Sequence, residues 1–239
     1  MKSERITEAI ILAGGFGTRL KHIVSDVPKP MAPINGIPFL SFLFSKLISA
    51  GINHVILSTG YLHEVIENYY GNSFESLQIS YSRENEPLGT GGAILLGLTK
   101  AKTDNVLVLN GDTLFEIDFG KLAEYHAEKE SLLTIALREE DEVSRYGSVL
   151  VDDAGKITAF TEKNQVHGKG VINGGIYVIN ARLFSQLNMP VKFSFEKDVL
   201  ETFYPEITFY GLAFNSYFID IGVPEDYARA QIEFPKLKF

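Results

Sequence analysis

Four short segments hold most of the residues able to handle phosphate, directly or through a metal. Gly14-Gly15-Phe16-Gly17-Thr18-Arg19-Leu20 directly follows an apolar run, Ala9 to Ala13, that includes Leu12. Glycines in such a turn let backbone N–H groups approach an anion closely, and arginine adds a permanent planar charge suited to phosphate oxygens. Pro28-Lys29-Pro30 comes next. Its prolines hold the segment stiff and extended, so Lys29 is a preorganised point charge. Asn110-Gly111-Asp112 ends a second apolar run, Val106 to Leu109, and Asp220 ends a third in Phe218-Ile219-Asp220-Ile221-Gly222. A carboxylate at such a place could hold Mg²⁺, which usually takes one or two carboxylates plus phosphate oxygens. Taken singly, each segment also has a plain structural reading: a tight turn with a solvated arginine, a surface lysine, an Asx turn.

Other chemistries fit poorly. There is no Gly-x4-Gly-Lys-Ser/Thr phosphate loop, and Leu20 replaces the third glycine of a dinucleotide fingerprint. The chain has no cysteine, which excludes disulfides, thiolate metal sites and a cysteine nucleophile. Its 5 histidines lack zinc-ligand spacing. With 22 Lys plus Arg against 30 Asp plus Glu, the net charge of −8 argues against a nucleic-acid binder.

The elements that must position these groups alternate in the first half. Ala9–Ala13, His54–Ser58, Leu77–Tyr81 and Val106–Leu109 read as strands, the first and last apolar on both faces. Leu40, Leu43, Phe44, Leu47 and Ile48 keep helical spacing, with Pro38 in the first turn and Gly51 just past the end. Leu62 to Tyr70 is a second amphipathic helix stopped by Gly71, and a third opens near Thr90. This alternation implies right-handed crossovers with helices on both faces of a mainly parallel sheet. The second half is richer in strands: 132–137, 147–151, 156–161, 170–179, 206–213 and 217–220, with helices at 119–128, 181–186, 195–203 and 224–233. At 239 residues, with 45% apolar and 22% charged residues and no linker-like segment, the expectation is a single α/β domain over residues 1–239.

Taken together, GGFGTRL followed by PKP resembles the signature of the sugar-1-phosphate nucleotidylyltransferases, the nucleoside-diphosphate-sugar pyrophosphorylases. The resemblance covers nearly the whole chain. Pro87-Leu88-Gly89-Thr90-Gly91-Gly92-Ala93 is similar to the family's base-binding loop, in its guanylyltransferase form; the plain alternative is a helix capped by Thr90 with small residues for packing. Phe160-Thr161-Glu162-Lys163 matches the family's FxEK motif, with Asn164 where a proline is usual. Ile172-Asn173-Gly174-Gly175-Ile176-Tyr177 matches its sugar-pocket element, Tyr146-Gly147 its YG element, and Glu196 is a weaker sugar-site candidate.

The resemblance implies a Rossmann-like three-layer α/β/α sandwich with a mixed central sheet. Residues up to about 115 would bind nucleotide, and residues from about 116 the sugar phosphate. It implies transfer of a nucleotidyl group from a nucleoside triphosphate to a sugar 1-phosphate, with Mg²⁺ held jointly by Asp112 and Asp220. Leu12, Ala13, Gly14, Gly15, Gly17, Thr18, Arg19 and Lys29 would meet the triphosphate, together with Leu88, Gly89, Thr90 and Gly111. Lys163 would anchor the sugar phosphate, beside Tyr146, Gly147, Glu162, Asn173, Gly174 and Glu196. Several segments, Phe193-Ser194-Phe195-Glu196 among them, are similar to the branch that uses GTP and D-glycero-D-manno-heptose 1-phosphate. Mannose 1-phosphate with GTP stands second, uridylyl, cytidylyl or thymidylyl transfer third, and a regulatory sugar-nucleotide-binding subunit is the non-enzymatic alternative. No apolar run reaches the ~20 residues of a membrane span. The run Ala9–Ala13 after Glu8 is too short for a secretory signal, so a cytoplasmic protein, possibly a homo-oligomer, is expected.

Overall fold

The computed structural model describes residues 5–15, 26–144 and 147–237. Strand β1 (Glu8–Leu12) is followed by a small hairpin, β2 (Pro33–Ile34) and β3 (Ile37–Pro38), and by helix α1 (Phe39–Ser49). Next come β4 (His54–Thr59), α2 (His63–Tyr70), β5 (Ser73–Phe74), β6 (Leu77–Arg83), α3 (Gly89–Leu98) and β7 (Asn105–Asn110). The chain continues through β8 (Thr113–Phe115), α4 (Phe119–Glu128), β9 (Leu133–Glu140), β10 (Val149–Val151), β11 (Ile157–Phe160) and β12 (Gly170–Asn180). It ends with α5 (Arg182–Ser185), a π-helical segment (Phe195–Leu200) running into α6 (Glu201–Phe203), β13 (Tyr210–Phe214), β14 (Phe218–Asp220) and α7 (Pro224–Glu233).

Eight strands form one mixed sheet in the order β13-β9-β12-β7-β1-β4-β6-β5. Its centre, β7-β1-β4-β6, is parallel, as the alternation of strands and helices requires. Antiparallel β12 joins this centre to β9, so the strand-rich second half extends the same sheet. Ile10 and Ile11 are neighbours on β1 yet belong to opposite core layers. That is why β1 reads as an unbroken apolar run and not as an alternating one. Helices α1, α2, α4 and α7 cover one face with Phe39, Phe44, Leu47, Ile66, Leu122 and Ala230. The other face is covered by α3 and the 195–203 helix through Ile94, Phe195 and Val199. The expected α/β/α sandwich with a mixed central sheet is therefore the fold.

Several local expectations change. Pro38 pairs with Pro33 in the hairpin and stands just before α1, not inside its first turn. The strand expected over 206–213 starts only at Tyr210, and the helix expected at 195–203 opens as a π-helix. Strands β2, β3, β5 and β8 are too short for periodicity to register. Among the described residues no helix is long and apolar enough to cross a membrane.

Candidate nucleotide-transfer site

A cleft of about 460 Å³ opens where β1, β6 and β7 end. Carboxyl ends of strands are where open α/β sheets place ligands. Ala13, Gly14 and Gly15 form one wall and Lys29 and Asp112 another; Gly89, Thr90 and Glu196 line it too, as does Leu12. Nine of the residues expected from the sequence thus meet in one place. Gly17, Thr18, Arg19 and Tyr146 lie outside the described residues.

The two expected metal ligands are brought together by a small ladder beside the main sheet. β8 and β14 pair antiparallel, with Asp220 opposite Thr113, and the Ile221 N–H donates to the Asp112 carbonyl at 3.0 Å. Asp220 Oδ1 accepts the Gly222 N–H at 2.7 Å. Lys29 Nζ donates to Asp112 Oδ2 at 2.5 Å. A Cβ at residue 222 would overlap Lys29 Nζ and lie 2.8 Å from Asp220 Oδ1, so a side chain there would displace these two groups. One ammonium and two carboxylates therefore converge on a single point. Pro28 is extended as expected, but Lys29 is not: it opens a short 3-10 helix closed by the Met31 and Ala32 N–H groups donating to the Pro28 and Lys29 carbonyls, with buried Pro30 and Met31 as its anchor. Gly111 is equally constrained: a Cβ there would stand 2.6 Å from the Leu12 carbonyl, which accepts the Gly111 N–H at 2.9 Å.

The base-loop glycines follow the alternative reading, small residues for packing. Side chains at Gly89 and Gly91 would overlap Phe193, and one at Gly92 would stand 2.6 Å from the Val191 carbonyl. The Gly91 N–H donates to the Phe193 carbonyl at 3.1 Å, and the Phe193 N–H to the Leu88 carbonyl at 3.0 Å. These glycines let residues 191–193 dock against α3, so Gly91 N–H and Leu88 C=O are occupied within the protein. Thr90 does not cap the helix. Its hydroxyl donates to Glu196 Oε2 at 2.6 Å and accepts the Phe195 N–H at 2.8 Å.

Glu84 was not singled out from the sequence. It follows β6, lines the cleft, and accepts the Leu88 N–H on Oε2 at 2.8 Å. Its Oε1 faces Gly14, where a Cβ would stand only 2.7 Å away. Burial pushes its carboxyl above the usual carboxylate range, against the pull of the Leu88 N–H. The strand-end rule that picked out Asp112 applies equally to Glu84, so the signal was present.

The sugar-side residues are less assembled. Glu162 and Lys163 are exposed and do not line the cleft. Gly147, at φ +79°, packs so closely on the Thr161 carbonyl that no side chain would fit. Asn173 bonds within its own bulge on β12: Oδ1 accepts the Gly175 N–H and Nδ2 donates to the Tyr177 hydroxyl, each at 2.9 Å. Gly174 is buried against Phe115 and the Ala136 carbonyl.

Known proteins are similar to this chain in sequence and fold. The chain is 50% identical over 226 residues to the D-glycero-alpha-D-manno-heptose 1-phosphate guanylyltransferase of Aneurinibacillus thermoaerophilus, covering 95% of this chain and 97% of that one. It is 47% identical over 220 residues to the enzyme of that name from Campylobacter jejuni, covering 92% and 96%. The crystal structure of HddC from Yersinia pseudotuberculosis complexed with GMP-PN superposes with a TM-score of 0.83 at 38% identity, covering 96% of this chain and all of that one. The model of the nucleotidyl transferase family matches residues 8–236, and the chain belongs to that family.

Proposed function

We propose that this enzyme transfers GMP from GTP to D-glycero-α-D-manno-heptose 1-phosphate, giving GDP-heptose and pyrophosphate. The observation that carries the choice of substrates is the 50% identity, over 95% of this chain, to an enzyme named for that reaction. The geometry supports the nucleotide. Guanine presents N1–H and N2–H₂ side by side, two donors suited to a carboxylate such as Glu84. Adenine has an acceptor at N1 and only C2–H where guanine carries its 2-amino group, so a carboxylate there would face the N1 lone pair and stay unpaired.

The attacking oxygen belongs to a phosphate already ionised at neutral pH, so no general base is needed, and catalysis rests on alignment and charge neutralisation. Lys29 holds the nucleotide phosphates, Arg19 meets the charge building on pyrophosphate, and Lys163 anchors the sugar phosphate. Asp112 and Asp220 fit Mg²⁺. They supply two adjacent carboxylates, while among the described residues no cluster of three or more acidic or histidine side chains would hold a metal without substrate oxygens. When bound, the ion would neutralise phosphate charge at the site of attack. In this reading the whole chain is one catalytic domain, because one sheet runs through both halves, and its need for a nucleoside triphosphate puts it in the cytoplasm.

The test is pyrophosphate release from five nucleoside triphosphates crossed with several sugar 1-phosphates. The GTP and manno-heptose pair should be fastest. Mannose 1-phosphate working better would change the sugar, and UTP, dTTP or CTP working better than GTP would overturn the guanylyl assignment.

A further inference from the structure

The loop beside the nucleotide and the segment beside the sugar are joined through one hydroxyl. Thr90 Oγ1 donates to Glu196 Oε2 and accepts from the Phe195 N–H, so its single proton and a lone pair are both committed inside the protein. Ser194 Oγ donates to the same Glu196 oxygen at 3.1 Å, and its own position is fixed because the Ser194 N–H donates to Asp198 at 2.7 Å. Hydroxyl donors to a carboxylate make short, charge-assisted bonds that fix its orientation. Glu196 Oε1 has no hydrogen-bond partner among the described residues, and Glu196 lines the cleft.

The same contacts run on into the sugar-side element. The Phe195 ring packs edge-on against Tyr177 at 5.1 Å between centroids, and the Tyr177 hydroxyl accepts from Asn173. Phe195 and Tyr177 are both fully buried, so this connection is rigid. Thr90 sits on α3 at the nucleotide wall, 106 residues before Glu196.

We propose that Thr90 is a positioning residue for the sugar and not a nucleotide ligand: it aims Glu196 so that Oε1 accepts a hydroxyl of the sugar 1-phosphate. The proposal deepens the transferase reading and rests on it. Thr90→Val keeps the shape and removes the hydroxyl, whereas Thr90→Ser keeps the hydroxyl. GTP affinity is read by calorimetry and sugar-phosphate KM by turnover, with the best substrate pair of the wild-type enzyme. Thr90→Val should raise the sugar-phosphate KM about tenfold, the size of one lost hydrogen bond, and leave GTP affinity within about twofold. Thr90→Ser should restore the KM. In a Glu196→Gln background Thr90→Val should add little, because the group it aims is already altered. Weakened GTP affinity with an unchanged sugar KM would make Thr90 a nucleotide ligand and overturn the proposal. So would a full effect of Thr90→Val in the Glu196→Gln background. Failure of the transferase reading would show separately, as a wild-type enzyme that releases no pyrophosphate from any pair; calorimetric binding of the sugar phosphate then decides the role of Thr90.

Discussion

The two ends of the central strands carry similar side chains in opposite states. At the end away from the cleft, Glu8 is only 3% exposed, and all its accepting capacity is used. Its Oε1 meets His54 Nδ1 at 2.6 Å, while Oε2 accepts from the Lys102 and Thr103 N–H groups and the Thr103 hydroxyl. Burial pushes the Glu8 carboxyl up, but these partners outweigh it and hold it below the usual range. Nearby, His126 is buried between the Thr134 hydroxyl and Asn105 Oδ1. At the cleft end, Asp112 is 28% exposed with one ammonium beside it, and Glu84 and Glu196 line the cleft, each with one carboxylate oxygen that has no hydrogen-bond partner among the described residues. A buried polar group that is fully satisfied ties strands together, whereas one left partly unpaired at a strand end is available to a ligand.

The sharpest way to break this contrast is to change charge at each end. Asp112→Asn and Asp220→Asn should each lower kcat by roughly 10³-fold, because an amide lacks the charge a metal needs. Their melting temperatures should stay near the wild-type value. Glu8→Ala should do the reverse, with a loss of ~3 kcal/mol of stability in urea unfolding and normal turnover per folded molecule. A Glu8→Ala enzyme that is stable but inactive would undo the comparison.

A pH titration of stability probes the same end. Burial holds His126 down at about 4, against 6.5 when exposed. The folded state therefore binds fewer protons than the unfolded one between these values, and stability must fall as pH drops from 6.5 towards 4. The part due to His126 amounts to ~3 kcal/mol. Chemical unfolding from pH 7 to pH 4 should lose less stability in His126→Gln than in wild type, and equal slopes would remove His126 from the account.

The smallest expected effect concerns base choice. Glu84→Gln places an amide where guanine needs an acceptor, so kcat/KM for GTP should fall roughly 10- to 100-fold. Because the Glu84 carboxyl is raised, GTP turnover in wild type should also decline earlier on the acid side than in the variant. Equal discrimination between GTP and ATP in both enzymes would show that the base is read elsewhere.

Much of this was legible in the residues. Long apolar runs and strand-end acids fixed β1, β7 and Asp112, because burial on both faces leaves an unbroken apolar pattern. What stayed hidden depends on packing over long separations. Nothing local in Gly89-Thr90-Gly91 says that Phe193 lies against it, so the residues offered both a ligand-facing and a packing reading without naming the packing partner. The network around Glu8 was invisible for the same reason, since its partners come from β4 and from the turn before β7. The Glu162–Lys163 pair was picked out by motif alone, and it lies exposed and away from the cleft lining.

The most direct test of the account is a crystal structure of this enzyme with a non-reactive GTP analogue and Mg²⁺. The account predicts guanine N1 and N2 within hydrogen-bond reach of the Glu84 carboxylate, with the metal between Asp112, Asp220 and the phosphates. Guanine bound away from Glu84, or phosphates placed at the opposite end of the strands, would contradict it.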